Sequence, residues 1–299
     1  MNLYTNISSN KKRTALLLGV FLLVVIALGW IFARAYEMPL ILYAAVGISV
    51  IQALVGYYSG DKVALAMTGA RQIEKSDHPE LWRTVENLTI TAGLPMPKVY
   101  IINDSAPNAF ATGRDPSHAS VAVTTGLMEI LDKLELEGVI AHELSHIGNY
   151  DIRLMTVVVV LVGVIALLSD LFIRVRYFSS FGSNNDNRNS GNGIMLIIGL
   201  VAALLAPLIA TLIQLAISRR REFLADSSGA MLTRYPEGLA SALRKISSYN
   251  RPMRRVSSAT SHLFISNPMG RTKKSFSTLF STHPPVEDRI KALTGTKVE

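Results

Sequence analysis

The sequence predicts an α-rich integral membrane protein with four transmembrane helices and a cytosolic domain of mixed α+β structure that contains a small sheet. Two observations predict this fold class. Of the 299 residues, 49% are hydrophobic and only 17% are charged, a balance typical of membrane proteins. The hydrophobic residues are also collected in four long runs, and the chain between and after them returns to a mixed, soluble composition.

The first two apolar runs, residues 14–33 and 38–60, contain no charged residue. Each is long enough to cross a hydrocarbon core of about 30 Å as an α-helix. The first run could instead be a cleaved signal peptide, but it exceeds the usual apolar core of about 7–15 residues, and a second run follows almost at once. We therefore predict a transmembrane hairpin over residues 1–60, with helices at about 14–33 and 38–58.

The last two apolar runs, residues 154–173 and 194–217, predict a second transmembrane hairpin over residues 154–217. The third run is interrupted only by Asp170. A charged residue inside a membrane segment indicates a functional site by default, but its place near the outer end of this helix favours a solvated carboxylate. The low-complexity residues 179–193 between the runs are expected to form a flexible external loop.

Lysine and arginine near the helix ends predict the orientation of the chain. The basic residues on the expected inner side are Lys11, Lys12, Arg13, Lys62, Arg153, Arg219, Arg220 and Arg221. The expected outer side carries Arg34, Arg174, Arg176 and Arg188. This bias places both termini and the soluble parts in the cytoplasm, although two of the outer arginines sit close to a helix end.

Charge and cysteine content exclude several classes of function. The net charge of +8 does not indicate nucleic-acid binding, because much of it flanks membrane helices and no aromatic-basic recognition motif is present. The sequence contains no cysteine, which excludes disulfides, cysteine-ligated metals and a thiol nucleophile. The lipid bilayer is therefore the partner that the composition indicates.

Residues 61–153, between the two hairpins, have an α/β pattern. A helix is predicted at residues 78–92, with Asp77 as its cap and Pro79 in its first turn. Three strands are predicted at residues 98–102, 108–112 and 120–124, the last two joined by a loop at 113–118. The helix that follows them is expected to run with little interruption into the third membrane segment.

Residues 218–299, after the fourth apolar run, are again soluble in character and predict a cytosolic, helical C-terminal part. One helix is expected at residues 237–249, and Pro284 and Pro285 are expected to open a final helix. Because the second hairpin lies between them, this part and residues 61–153 should meet at the same membrane surface.

The pentapeptide His142-Glu143-Leu144-Ser145-His146 carries the most informative chemical pattern in the sequence. On a helix, positions i and i+4 share a face, so the two imidazoles can bind one metal ion. Two neutral nitrogen ligands suit zinc, and the carboxylate of Glu143 on the open side of the metal suits a general base. Apolar positions flank the motif at helical spacing: Leu136, Val139, Ile140, Leu144 and Ile147. The alternative is a buried helix whose histidines make ordinary hydrogen bonds.

A catalytic zinc usually takes three protein ligands and leaves one position for water. The third ligand is expected where the fourth apolar run ends, and Glu222 is the candidate there. Asp226 lies one turn later on the same face, placed to hydrogen-bond the outer nitrogen of a ligating histidine. Spacing alone also allows an interfacial helix start in which Glu222 only balances the basic residues before it.

Four sequence marks resemble those of the HtpX-type membrane zinc metallopeptidases, in the family that also contains the CAAX prenyl proteases. They are the 142–146 pentapeptide, Glu222-Phe223-Leu224-Ala225-Asp226, Asn108-Ala109-Phe110-Ala111, and Thr282-His283-Pro284-Pro285 with Arg289 six residues after the histidine. The resemblance covers nearly the whole chain and implies a zincin-like catalytic domain. It implies that His142, His146 and Glu222 hold one Zn²⁺ per chain, that Glu143 is the base, and that Asp226 supports a ligand.

The resemblance also implies a reaction and a place. The implied reaction is hydrolysis of peptide bonds in membrane or misfolded proteins, at the cytoplasmic face of the bacterial inner membrane, in membrane protein quality control and the stress response. It implies that His283, with Arg289 alongside, donates to the negative charge that develops on the substrate. The alternative is that His283 starts the last helix and Arg289 lies on its solvated face.

Two further features are candidates for binding the substrate. Within the strand at residues 120–124, Val121, Ala122 and Val123 could form an edge that pairs with a peptide by β-addition, or an ordinary core strand. Asn108 could hydrogen-bond the substrate backbone, or only shape the turn before its strand.

Two other functions compete with proteolysis. In a catalytically silent membrane scaffold with a structural zinc, a carboxylate such as Glu143 beside the metal would have no use. In a transporter, Asp170 and Gln214 would line a path, and two lone polar residues support that poorly. The remaining histidines, His78, His118 and His262, are not expected to be ligands.

Overall fold

The computed structural model describes residues 3–35, 37–163, 219–249, 251–255, 257, 259–270 and 284–295. Its first elements are α1 (Leu3–Ala35), α2 (Leu40–Thr68), β1 (Arg71–Gln72), α3 (Pro79–Ala92), β2 (Lys98–Ile102), β3 (Ala109–Gly113), β4 (Ala119–Thr124), α4 (Thr125–Ile130), α5 (Lys133–Gly148) and α6 (Asp151–Gly163). The later described residues form α7 (Arg219–Thr233), α8 (Pro236–Ser248) and α9 (Val286–Thr294). Four predicted features lie outside the described residues: Asp170, the loop at 179–193, the apolar run at 194–217, and His283.

The first two apolar runs form the long helices α1 and α2. By length and composition, Ile7–Ile31 and Leu40–Thr68 can each cross a membrane. Their outward side chains are apolar and exposed: Leu40 is 70% exposed and Leu23 69%, as expected for groups that face lipid rather than water. Both helices of the predicted N-terminal hairpin are therefore present as candidate spans, and each helix extends beyond its apolar run.

The chain bends sharply between the helix that carries the two histidines and the next membrane segment. The axes of α5 and α6 differ by 84°, and the pair counts as a third candidate span only if it is taken as one broken helix. At the bend Tyr150 has the left-handed φ of 60°, which an α-helix cannot continue through. The predicted near-continuous helix is therefore wrong, and four spans are not confirmed within the part of the chain that the structure describes.

Helix α6 packs against both membrane helices. Leu17 and Phe21 of α1 pack on one side of it, in an apolar cluster with Leu154 and Val158. On α2, a Cβ at Gly60 would stand 2.7 Å from the Thr156 side chain, so the missing side chain lets these helices approach closely. The start of the third predicted span is thus fixed against both spans of the first hairpin.

A four-stranded sheet in the order β1-β2-β4-β3 occupies the centre of the soluble part. β2 and β4 run parallel, whereas β1 and β3 are antiparallel to their neighbours. β4 therefore lies inside the sheet, and β1 and β3 form its two edges. The prediction that Val121, Ala122 and Val123 form an edge is wrong, because β2 and β3 occupy both sides of their strand.

The sheet separates the membrane helices from the histidine-bearing layer. Alternate side chains point to opposite faces, so Val99 and Val121 pack into the core with α3, α5 and α8. Phe110 and Ala122 face the other way, against the end of α2 and the start of α6. This arrangement buries α5 against one face of the sheet, opposite the face that packs on the end of α2 and the start of α6.

The predicted soluble elements are close to the observed ones, with a few local corrections. His78, not Asp77, is the cap residue of α3, and the Asp77 carboxylate accepts the Glu74 backbone N–H at 2.9 Å instead. Each of the three predicted strands is present within one residue of its expected bounds. Strand β1 and helix α4 were not predicted, because two and six residues are too short to show a periodic pattern.

Candidate metal centre

Helix α5 begins at a capping box that fixes its position. The Asp132 carboxylate accepts the Glu135 backbone N–H, and the Glu135 carboxylate accepts the Asp132 backbone N–H, each at 2.9 Å. These two bonds satisfy backbone N–H groups at the start of the helix that have no partner within it. Glu135 also accepts hydrogen bonds from Ser241 and Lys245 of α8, both at 2.6 Å. The start of α5 is therefore tied to the C-terminal part of the chain.

Three side chains bring potential metal ligands together at the meeting of α5 and α7. The Nε2 atoms of His142 and His146 are 3.2 Å apart. Glu222 faces both, with carboxylate oxygens 3.9 Å from His142 Nε2 and 3.6 Å from His146 Nε2. All three side chains are buried, and their ligand atoms lie within 4.8 Å of one another. Separated by 76 positions or more in sequence, the histidines and the glutamate meet as the topology predicted.

The outer nitrogen of His142 is held by a carboxylate and an arginine. His142 Nδ1 is 2.9 Å from Asp226 Oδ1, as predicted for a residue one turn after Glu222. Arg289 of α9 donates to both oxygens of Asp226, from Nε at 2.8 Å and from Nη2 at 2.7 Å. Burial alone would raise the pKa of Asp226, but the Arg289 hydrogen bonds outweigh it and lower that pKa to about 2. The ionised carboxylate therefore keeps the proton of His142 on Nδ1, so Nε2 carries the free lone pair.

Asp151 holds the outer nitrogen of His146, a contact that was not predicted from the sequence. Its Oδ2 is 3.1 Å from His146 Nδ1, and its side chain is only 1% exposed. On a continuous helix, position i+5 points about 140° away from position i. Only the bend after α5 returns Asp151 to the face of His146, so helical spacing gave no sign of this contact.

Glu143 has the environment expected of a general base. It is 1% exposed, and its Oε1 has no hydrogen-bond partner within the described residues. Burial raises the pKa of Glu143 to about 7, while the neighbouring His146 and a hydrogen bond from the Ala111 backbone oppose the shift. A base with a pKa near neutrality is the most effective proton carrier at neutral pH.

The electrostatics of the cluster suit a bound cation. Burial opposes protonation of His146, yet hydrogen bonding to Asp151 and the charge of Glu222 raise its pKa to about 9. Burial dominates at His142 and lowers its pKa to about 4. The acidic groups therefore concentrate negative potential at the centre of the cluster. Two imidazole nitrogens and one carboxylate are a donor set that fits a catalytic metal, and the Glu143 oxygen that has no partner among the described residues lies outside this set.

Close packing of α7 on α5 sets the distance between Glu222 and the histidines. A Cβ at Gly229 would stand 2.9 Å from the backbone nitrogen of His142. Side-chain carbon atoms do not approach a backbone this closely, so any larger residue must push the two helices apart. Gly229 lies on the same face of α7 as Glu222 and Asp226, and such a shift moves both carboxylates away from α5.

We expect Gly229→Ala to weaken metal binding about tenfold or more. This effect is comparable with losing the group that hydrogen-bonds the outer nitrogen of a ligating histidine. The added methyl group also overpacks the contact, at a cost of about 1–3 kcal/mol in unfolding free energy. Gly148→Ala is the matched control, because its Cβ meets only the two Leu94 methyl groups, at 3.8 and 3.9 Å. Metal affinity measured by competition with a chelator checks this. Equal affinity of the two variants would show that the helix contact does not set the site geometry.

Two residues predicted to act on substrate have other contacts in the structure. The Asn108 amide donates to the Ser266 carbonyl at 3.0 Å and accepts the Ser266 N–H at 3.3 Å, and its contact with the substrate backbone stays a prediction. Arg289 is fully buried, and the alternative that it lies on a solvated face is wrong. Its nitrogens bind Asp226 and, from Nη1 at 3.2 Å, the Ile265 carbonyl.

The three histidines that were not expected to be ligands lie in other surroundings. His78 is the exposed cap residue of α3. His118 is paired with Asp115 at 2.7 Å, and His262 Nε2 lies 3.0 Å from the Met155 carbonyl on α6. None of these contacts is with the cluster of His142, His146 and Glu222.

Comparison with known proteins identifies the family. Residues 75–297 match the model of Peptidase family M48. A "Protease HtpX homolog" of Tropheryma whipplei (strain Twist) is 50% identical over 292 residues, 97% of each chain, and one of Thermoanaerobacter pseudethanolicus is 49% identical over 294 residues, also 97% of each. The fold is similar to the crystal structure of S. mikatae Ste24p, with a TM-score of 0.50, 19% identity, and coverage of 97% of this chain and 67% of that one. The chain therefore belongs to peptidase family M48 and is a membrane-bound metalloprotease.

Proposed function

We propose that the chain is a zinc endopeptidase that cleaves membrane or misfolded proteins at the cytoplasmic face of the membrane. In this proposal His142, His146 and Glu222 hold the zinc ion, and Glu143 is the base. The observation that carries it is the convergence of three buried ligand atoms within 4.8 Å, beside a buried carboxylate oxygen that has no partner among the described residues. Nitrogen and carboxylate donors in this number favour zinc over the hard cations Mg²⁺ and Ca²⁺.

The side chains of the site divide the work of hydrolysis. When bound, zinc supplies Lewis-acid chemistry: it lowers the pKa of a water and polarises the scissile carbonyl. Glu143 accepts the proton of the attacking water and then donates it to the leaving amine nitrogen. Asp226 and Arg289 keep His142 in one tautomer and one orientation. Because the Arg289 donors are engaged by Asp226 and Ile265, we assign it a positioning role, and His283 remains the proposed donor to developing negative charge.

The edge strand β3 replaces β4 as the proposed binding strand for substrate. It is one of the two edge strands of the sheet, and the backbone of its central residue Ala111 hydrogen-bonds Glu143. A peptide paired with β3 would therefore pass beside the base. In β-addition the peptide is bound through backbone hydrogen bonds rather than through its side chains. Part of this edge is already paired within the chain, since the Ile265 N–H donates to the Ala109 carbonyl at 3.0 Å.

A scaffold with a structural metal is distinguished from the peptidase by activity. Purified full-length protein loaded with zinc should cleave unfolded casein, lose activity when a chelator removes the metal, and regain it when zinc is restored. A protein that binds zinc in the described cluster but cleaves no unfolded substrate would support the scaffold and contradict the proposal.

The absence of cysteine from the sequence gives a direct test of orientation. We propose cytosolic parts at residues 61–153 and 218–299, with hairpins at 1–60 and 154–217 in the bacterial inner membrane. Ser117→Cys lies on an exposed cytosolic loop and Glu37→Cys between the first two spans. A membrane-impermeant maleimide should label Glu37→Cys in intact spheroplasts and Ser117→Cys only after lysis. The reverse labelling pattern would invert the proposed topology.

A further inference from the structure

We propose that Asp151 is a positioning residue for the metal site, and that Asn10 of the first membrane helix and Arg221 of α7 hold it in place. The inference rests on the proposed ligand set of His142, His146 and Glu222. In this inference the first membrane helix helps to position a metal ligand, in addition to its role as a membrane anchor.

The contacts of Asp151 use both of its carboxylate oxygens. Oδ2 is 3.1 Å from His146 Nδ1, whereas Oδ1 accepts from Asn10 Nδ2 at 2.7 Å and from Arg221 Nε at 3.1 Å. The carboxylate is 1% exposed and Asn10 is 3% exposed. A buried carboxylate is retained only where hydrogen bonds and an opposite charge compensate its lost hydration. Asn10 and Arg221 supply both, and His146 receives a fixed acceptor for its outer nitrogen.

The arrangement repeats on His146 what Asp226 and Arg289 do for His142. In each case the outer nitrogen of a histidine faces an aspartate, and an arginine from a distant part of the chain binds that aspartate. A metal ligand whose outer nitrogen is held in this way keeps its tautomer and its orientation. Arg221 also precedes Glu222 directly, so the contacts of Asp151 reach the helix of the third ligand.

Asn10 connects this network to the membrane. Its side chain donates to the Asn149 carbonyl at 3.0 Å as well as to Asp151, so it spans the bend between α5 and α6. Farther along α1, Leu17 and Phe21 pack on α6. A displacement of α1 relative to α6 would therefore be transmitted to Asp151 and from it to His146.

Zinc affinity of the purified full-length protein in detergent, measured by competition with a chromogenic chelator, tests the inference. We expect Asp151→Ala to weaken zinc binding about 10–100-fold. Asp151→Asn keeps an oxygen acceptor, so its zinc affinity should fall by less. The zinc affinity of Asn10→Ala should fall about threefold to tenfold, at or below the lower end of that range. Ser8→Ala on the exposed face of α1 and Asp77→Ala on an exposed turn are the matched controls. Affinities of Asp151→Ala and Asn10→Ala that match these controls would overturn the inference.

A further readout separates positioning from general destabilisation. Cobalt-loaded Asp151→Asn and Asn10→Ala should show altered d–d absorption bands, whereas a variant that is only destabilised would keep the parent bands in its folded fraction. Unchanged bands would contradict a positioning role. If Asp151→Ala does not fold, these two milder variants decide the question.

The same assay distinguishes this inference from the proposed function. If Glu222→Gln binds zinc as tightly as the parent protein, the proposed ligand set itself is wrong. If Glu222→Gln loses zinc while Asp151→Ala and Asn10→Ala keep it, the ligand set stands and only the role of Asp151 is refuted.

Discussion

Replacing Glu143 by glutamine is expected to reduce peptide hydrolysis about 10²–10⁴-fold, the contribution typical of general acid–base catalysis. The amide occupies the same space but cannot accept a proton from water. Because Glu143 is buried and its Oε1 has no partner among the described residues, removing its charge should not lower the unfolding temperature. Metal stoichiometry should stay that of the parent protein, since Glu143 is not a proposed ligand.

Cleavage of unfolded casein and metal analysis on the same preparation measure both quantities. Glu137→Gln is the matched control, a carboxylate on the same helix but outside the cluster, and should retain full activity. Equal activity of Glu143→Gln and Glu137→Gln would remove Glu143 from the mechanism. Loss of metal in Glu143→Gln would instead make it a ligand.

Replacing Glu222 by glutamine is expected to weaken zinc binding by more than about 100-fold. This exceeds the effect of losing a group that only hydrogen-bonds a metal ligand. Glu222 supplies the single carboxylate among the three converging side chains, and its charge raises the pKa of His146. The neutral amide is a poor zinc ligand and does not offset the charge of the cation. Activity should fall in proportion to the metal that is lost.

Chelator competition and hydrolysis at several zinc concentrations check this second prediction. Glu237→Gln, an exposed carboxylate at the start of α8, is the control and should bind zinc normally. Activity of Glu222→Gln that excess zinc does not restore, with metal fully bound, would show that Glu222 acts on substrate rather than on the metal.

The metal-binding part of the site could be predicted because its spacing is local. His142 and His146 lie four residues apart on one helix, and Asp226 lies four residues after Glu222, so helical geometry alone places each pair on one face. Glu222 needed the predicted topology as well, in which the chain returns to the same membrane surface after the second hairpin. The resemblance to membrane metallopeptidases is confirmed by the family match.

The remaining features depend on contacts between segments distant in sequence. Asp151 reaches His146 only because the chain bends at Tyr150. The order of strands in the sheet, which makes β3 rather than β4 the edge, follows from packing on two different cores and not from either strand's own pattern. Arg289 is a charged residue near the start of a short helix. Nothing in that position indicates that it will be buried and paired with Asp226.

X-ray absorption at the zinc edge, on zinc-loaded full-length protein, tests the proposed centre most directly. We expect one zinc ion with two histidine nitrogens at about 2.0–2.1 Å and oxygen ligands from Glu222 and water completing four-coordination. In Glu222→Gln the remaining zinc signal should lose an oxygen ligand while both nitrogens stay. A spectrum with three or more histidine nitrogens, or one unchanged by Glu222→Gln, would contradict the proposed site.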